Sequence, residues 1–141
     1  MSSFKWSSAH SVYLPEIDAE HRGLFLLGEE LQRAIAAGAD VAGLRPVLVN
    51  LLESADVHFK HEERIMNASR YSAYAWHKKQ HDAVRWRMRR FLRRIDAGDQ
   101  SAAQELTEFL DSWLQTHTSV SDRMMGAYIR NFLRLNTAVA S

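Results

Sequence analysis

The 141-residue sequence predicts an all-α fold: an up-down-up-down antiparallel four-helix bundle with an extended N-terminal arm and a short C-terminal helix or tail. Three observations predict it. Four segments carry core-type residues spaced alternately four and three apart, the seam of a helix buried on one face. Short breaks separate them, and short connections between long helices imply antiparallel neighbours. Only two prolines occur, and 46% of the residues are apolar, enough for one core in a chain of one-domain length.

The elements follow in order as one domain over 1–141. Residues 1–16 read as an arm. The first helix, 17–37, carries Ile17, His21, Leu24, Gly28, Leu31 and Ile35 on its seam. Gly38-Ala39-Asp40 ends it. The second helix, 41–66, carries Leu44, Leu48, Leu51, Ala55, His58, Glu62 and Ile65, and Pro46 falls in its opening turn, where a missing N–H does little harm. After the break at 67–72, the third helix, 72–97, carries His77, His81, Val84, Met88, Phe91 and Ile95. Gly98-Asp99 ends it, and Ser101 with Gln104 has the pattern of a capping box. The fourth helix, 101–121, carries Leu106, Leu110, Trp113, His117 and Val120, and Met124 just beyond it continues the stripe. The tail is 122–141.

Composition removes several functions. There is no cysteine, so disulfides, zinc ribbons, iron–sulfur clusters and thiol chemistry are excluded. A formal charge of +1 gives no bulk field to select nucleic acid or a membrane surface. No segment approaches the ~18 uninterrupted apolar residues of a membrane helix, and the start lacks the pattern of a secretory signal. A cytoplasmic protein, monomeric or weakly self-associating, is expected.

The histidines carry most of the information. A single histidine on an apolar stripe is usually a core residue satisfied by one hydrogen bond. Here His21, His58, His77, His81 and His117 share the seams with Glu62. Burying that many polar groups unpaired costs roughly 1–3 kcal/mol each, a total that rivals the ~5–15 kcal/mol stability of a domain. A bound cation compensates them economically. His58 and Glu62 are four apart, as are His77 and His81, so each pair faces one way from its helix. Antiparallel packing brings the early part of helices one and three to the level of the late part of helices two and four. Six side chains therefore converge on one layer. Asp122, five residues after His117, falls off the seam of a regular helix, and spacing alone reads it as a surface acid.

This donor set exceeds one tetrahedral zinc, and calcium and magnesium prefer oxygen. Mixed imidazole and carboxylate suits a pair of iron ions. The paired Glu-x-x-His motifs of ferritin-like di-iron proteins are missing from the seams. Two ferrous ions, two carboxylates and a bridging hydroxide sum to about +1, counting the bound hydroxide as an ion of the site. Moving two electrons and the hydroxide's proton onto O2 leaves that sum unchanged, which favours a reaction that runs both ways.

At this point the sequence resembles the hemerythrins, closest to the bacterial single-domain kind. The resemblance rests on Phe4-x-Trp6, Ser11-Val12, Ile17-Asp18-x-x-His21, His58-Phe59-x-x-Glu62-Glu63-x-x-Met66, Tyr71, His77-x-x-x-His81 and Trp113-Leu114-x-x-His117-x-x-x-x-Asp122. It implies a non-heme di-iron protein, not an enzyme, that binds O2 reversibly for storage, transport or delivery. His77, His81 and His117 would hold one iron. His21 and His58 would hold the other and leave a position for O2. Glu62 and Asp122 would bridge, beside an oxo or hydroxo group. Leu24, Phe59, Trp113 and Leu114 would form a dry pocket wall.

Three positions depart from the family pattern. Thr118 replaces an aliphatic residue, and its hydroxyl is expected to reach a bound ligand or admit water, giving faster autoxidation than in a Thr118→Ile variant. Tyr13-Leu14 replaces Gly-Ile, and Tyr71-Ser72 replaces Tyr-Pro. Off the seams, His61 reads as solvent-facing, and His10 stands where the family more often has an aromatic residue. A basic run, Arg85, Arg87, Arg89, Arg90, Arg93 and Arg94 around Trp86, reads first as a solvated face and second as a docking patch for an acidic partner. The alternative functions are an O2 or redox sensor module, or a di-iron peroxidase or nitric oxide reductase.

Overall fold

The computed structural model describes residues 4–140, with side chains described for residues 4–137. It is an all-α four-helix bundle preceded by an arm and followed by a further helix. The helices are α1 (Pro15–Ala36), α2 (Val41–Ala68), α3 (Tyr74–Asp96), α4 (Ala102–His117) and α5 (Arg123–Ala140). Around the ring α1 packs on α2, α2 on α3, α3 on α4, and α4 closes on α1.

Three connections share one mechanism. Gly38 and Gly98 have φ of 79° and 86°, and Arg70 has φ of 55°. At each, two N–H groups turn back onto carbonyls of the last helical turn, as in Ala39 to Ala34, Asp99 to Arg94 and Tyr71 to Met66. This left-handed ending reverses the chain within a few residues and so makes neighbours antiparallel. At the start of α4 the expected Ser101/Gln104 capping box does not form. Asp99 instead accepts from both the backbone and the hydroxyl of Ser101, while Gln104 donates to Glu108. Pro46 lies in the second turn of α2 rather than the first, because the helix begins at Val41 with Asp40 as its N-cap.

The C-terminal segment, read as a short helix or tail from residue 122, is a helix. α4 does not stop: a π-helical turn, Thr118–Asp122, carries it into the 18-residue α5. The arm lies across this junction. Arg123 donates to the carbonyls of Ala9 and Ser11, and Arg130 to that of Val12. Ser11 and the Val12 N–H both bond the buried Asp18. Phe4 is buried on Gly28, where an added Cβ would stand 2.4 Å from the ring. The glycine on the α1 seam is thus a docking notch for the arm.

Two apolar clusters fill the bundle. The larger runs from Leu24, Phe59 and Leu114 to the far end at Leu44 and Ile95. The smaller holds Met66, Tyr71, Met125 and Ile129. Along each helix, the polar seam residues fall between the two.

Candidate metal centre

His21, His58, Glu62, His77, His81, His117 and Asp122 are all buried, each at most 4% exposed. They form two groups whose donor atoms lie within 4.8 Å of one another: Glu62, His77, His81, His117 and Asp122, and His21, His58, Glu62 and Asp122. The two carboxylates are common to both. Asp122, which spacing alone placed on the surface, reaches the centre because the π-helical turn has more residues per turn than an α-helix. Five positions then make about one revolution, and His117 Nε2 stands 2.9 Å from Asp122 Oδ1.

Each ring uses Nε2 toward the centre. His21 Nε2 is 3.3 Å from Glu62 and 3.0 Å from Asp122. His58 Nε2 is 3.1 Å from Glu62. His81 Nε2 is 3.1 Å from Glu62 Oε1, and His77 Nε2 is 3.0 Å from Asp122 Oδ1. Yet His81 Nε2, Glu62 Oε1 and both Asp122 oxygens have no hydrogen-bond partner. These donor atoms approach without hydrogen-bond alignment. His117 Nε2 and His77 Nε2 also lie 3.2 Å apart, a spacing two lone pairs tolerate only with a cation or proton between them. Orphaned, converging, buried donors fit a bound metal pair.

The opposite ring nitrogens show a pattern that seam reading missed. Glu20 of α1 takes His58 Nδ1 of α2 at 2.6 Å. Glu63 of α2 takes His81 Nδ1 of α3 at 2.8 Å, and Gln80 of α3 takes His117 Nδ1 of α4 at 2.9 Å. Each backing residue sits one position from a seam residue on its own helix. That offset is about 100° of helix rotation, which aims it at the neighbouring helix. An acceptor on Nδ1–H fixes the tautomer that leaves Nε2 free for metal. His61, expected to face solvent, is 23% exposed and bonds the other oxygen of Glu20 at 2.6 Å. His10 touches Phe25 and caps Ser7.

Burial favours neutral rings, and it pushes His117 below its ordinary value. At His21 and His77 burial is overcome by Asp122 and Glu62, and each is raised to about 9. At His58 burial is overcome by Glu62, Glu20 and Asp122, and the ring is raised to about 10. Burial likewise works against the two charged carboxylates, but the rings hold both well below the usual carboxylate range.

Above this layer the Phe59 ring stacks on His81 at 4.2 Å, and Trp113 stacks on His117 at 4.2 Å. Leu24 and Leu114 are buried beside them. Thr118 is buried too, but its hydroxyl donates to the Leu114 carbonyl at 2.6 Å, so its proton is already engaged.

Fold and site together define a histidine-rich, non-heme two-metal protein whose donors match a di-iron centre. The comparisons agree. The profile of the hemerythrin HHE cation binding domain matches residues 13–129, and the chain belongs to the hemerythrin family. It is 28% identical to the bacteriohemerythrin of Clostridium acetobutylicum over 85% of this chain and 96% of that one. It is 24% identical to myohemerythrin-1 of Phascolopsis gouldii over 84% and 88% of the two chains. A crystal structure of wild-type hemerythrin superposes with a TM-score of 0.82 at 25% identity, over 89% of this chain and 96% of that one. The site is of the non-heme di-iron kind typical of hemerythrins, which bind O2 reversibly.

Proposed function

We propose that His77, His81 and His117 hold one iron, that His21 and His58 hold the other, and that Glu62 and Asp122 bridge them, so that O2 binds on the His21/His58 side. The observation that carries this reading is the unequal donor count, five atoms in one group and four in the other, with both carboxylates shared. With one bridging oxo or hydroxo oxygen, the larger group would offer six donors and the smaller five, which would leave the second iron room for O2. When bound, the iron pair supplies the electrons that O2 borrows and returns. The chain's residues do the rest. Leu24, Phe59, Trp113 and Leu114 form a wall that excludes water, which keeps the exchange reversible. A surface groove of about 450 Å³ lined by Leu24 and His58 supports an approach from that side. Thr118, whose hydroxyl was expected to reach a bound ligand, has that hydroxyl turned to the backbone.

The test is anaerobic loading with ferrous iron, admission of O2, then its removal. A charge-transfer band that appears and disappears over repeated cycles supports carriage. A single irreversible conversion would refute it.

Among the described residues no helix is long and apolar enough to cross a membrane. A cytoplasmic monomer or weak oligomer is the reading we adopt, with the basic outer face of α3 as a docking patch for an acidic protein segment. Arg85 and Arg94 are paired with carboxylates, whereas Arg87, Arg89, Arg90 and Arg93 pair with none among the described residues. Arg87 and Arg90 line a surface cavity with Trp86, which is 54% exposed, and tryptophan with arginine is the composition of binding hot spots. Glu105 of α4, paired with Arg94 at the edge of this face, disfavours a long polyphosphate backbone. Titration with a glutamate-rich peptide should change Trp86 fluorescence and lose effect with salt. Tighter binding of single-stranded DNA would reverse the assignment.

A further inference from the structure

One guanidinium stands behind the centre with no role in the scheme above. Arg85 of α3 is 13% exposed and bonds three carboxylates. Its Nε donates to Asp56 at 2.8 Å, and its Nη1 to Asp82 at 2.9 Å and to Glu63 Oε2 at 2.8 Å. Nη2 adds a bond to Glu63 Oε1 at 3.3 Å. Asp56 and Asp82 are in turn bound by Lys60 and Lys78. Glu63 Oε2 is the same atom that accepts from His81 Nδ1. The guanidinium also lies 5.2 Å above the Phe59 ring, which stacks on the His81 ring. His81 is therefore supported twice from one cation, at its edge through Glu63 and on its face through Phe59.

We propose that Arg85 is a positioning residue that acts through Glu63 to set how strongly His81 donates to the metal. A carboxylate on Nδ1–H pulls that proton and makes the ring a better donor at Nε2, which favours the ferric state. A guanidinium sharing the same oxygen draws off its charge and weakens the pull. The histidine on the other side is built differently: His58 has Glu20 behind it, and Glu20 has His61 rather than an arginine. The two halves of the centre therefore differ in the cation behind the backing carboxylate as well as in donor count.

This rests on His81 Nε2 being a metal ligand, which zinc stoichiometry of the wild-type protein tests separately: no bound zinc defeats that reading and not the coupling itself. The experiment compares Arg85→Met, Glu63→Gln and the double variant, each checked for unchanged metal content. In the iron-loaded proteins, Arg85→Met should shift the ferric-to-ferrous ratio at a fixed potential at least tenfold toward ferric, and Glu63→Gln should shift it toward ferrous. On the Glu63→Gln background, Arg85→Met should have no further effect. A shift that persists there would show a direct charge effect, and single-variant shifts in the same direction would show simple loosening; either overturns the proposal. Arg85→Lys keeps the charge with fewer bonds, and serves if the methionine variant fails to load. It should shift toward ferric by less than tenfold, and no shift there counts against the proposal. In zinc-loaded protein the His81 Nδ1 proton resonance gives an independent reading: downfield in Arg85→Met or Arg85→Lys, upfield in Glu63→Gln.

Discussion

Loading the centre with metal must displace protons, and the structure gives their number. His21 and His77 are raised to about 9, and His58 to about 10, so in metal-free protein at pH 7 all three rings are charged. His117 is lowered, and Glu62 and Asp122 are already ionised. A metal needs the lone pair at Nε2, so binding at pH 7 should release about three protons from the rings. Apparent affinity for the filled site should then rise by up to roughly a thousandfold per pH unit near neutrality, tenfold for each proton, and level off above about pH 10. The assay is anaerobic calorimetry with ferrous iron in two buffers of different ionisation enthalpy, which separates proton release from binding heat. A bridging hydroxide formed from water adds one proton to those of the rings, so release of one proton or fewer per protein at pH 7 would refute the reasoning.

The same rings set the stability of the metal-free protein. A ring held near 9 instead of its ordinary 6.5 binds its proton more tightly by roughly 3 kcal/mol. Its folded value is raised, so that contribution is complete below 6.5 and is lost as pH climbs through 9 to 10. The carboxylates are lowered in the fold, so theirs is complete above about 4.5 and lost as pH falls. The three rings share two carboxylates, so their contributions do not add. His117, lowered by burial, works the other way and costs stability as pH falls below 6.5, so metal-free protein should melt highest near pH 6.5, and the gain in Tm on loading should grow with pH above it.

Four substitutions test other parts of the account. Tyr13 has φ of 58° and is exposed, and Arg70 has φ of 55° at the end of α2, so Tyr13→Gly and Arg70→Gly should each stabilise the fold by about 0.5–1 kcal/mol in urea unfolding. Gly28→Ala should do the reverse, costing about 1–3 kcal/mol despite better helix propensity, because its Cβ would displace Phe4; an unchanged midpoint would mean the arm is not seated there. Thr118→Val should alter the autoxidation rate by no more than about twofold, since the hydroxyl bonds Leu114; a tenfold change would show that it turns to meet the bound ligand instead.

Six of the seven buried donors were legible because a four-three spacing survives any reasonable packing of four helices. The backing residues were not, since Glu20, Glu63 and Gln80 have the polarity of a surface. Their meaning is positional: each is next to a seam residue, on the flank that meets the next helix. A reader who knew the order of helices round the bundle would have asked what the flanking residues faced. Asp122 was legible only through the family resemblance, and spacing missed it for a different reason. A regular helix turns five residues through about 500°, which leaves the fifth well away from the first. The structure widens the turn, and a widened turn needs donors for displaced carbonyls. Thr118 and Ser119 supply them, donating to Leu114 and Gln115, while Ser121 bonds the amide oxygen of Gln80 that also holds His117. The hydroxyl-rich run Thr118-Ser119-Val120-Ser121 is therefore the sequence trace of the π turn. It connects two facts that looked separate, a hydroxyl where an aliphatic residue was expected and a carboxylate five positions from its histidine. The same widened turn that brings Asp122 into the buried donor cluster sets the phase of α5, and α5 holds the arm through Arg123 and Arg130. The placement of Asp122 and the closure of the bundle's lower end are thus consequences of one local departure from the α-helix.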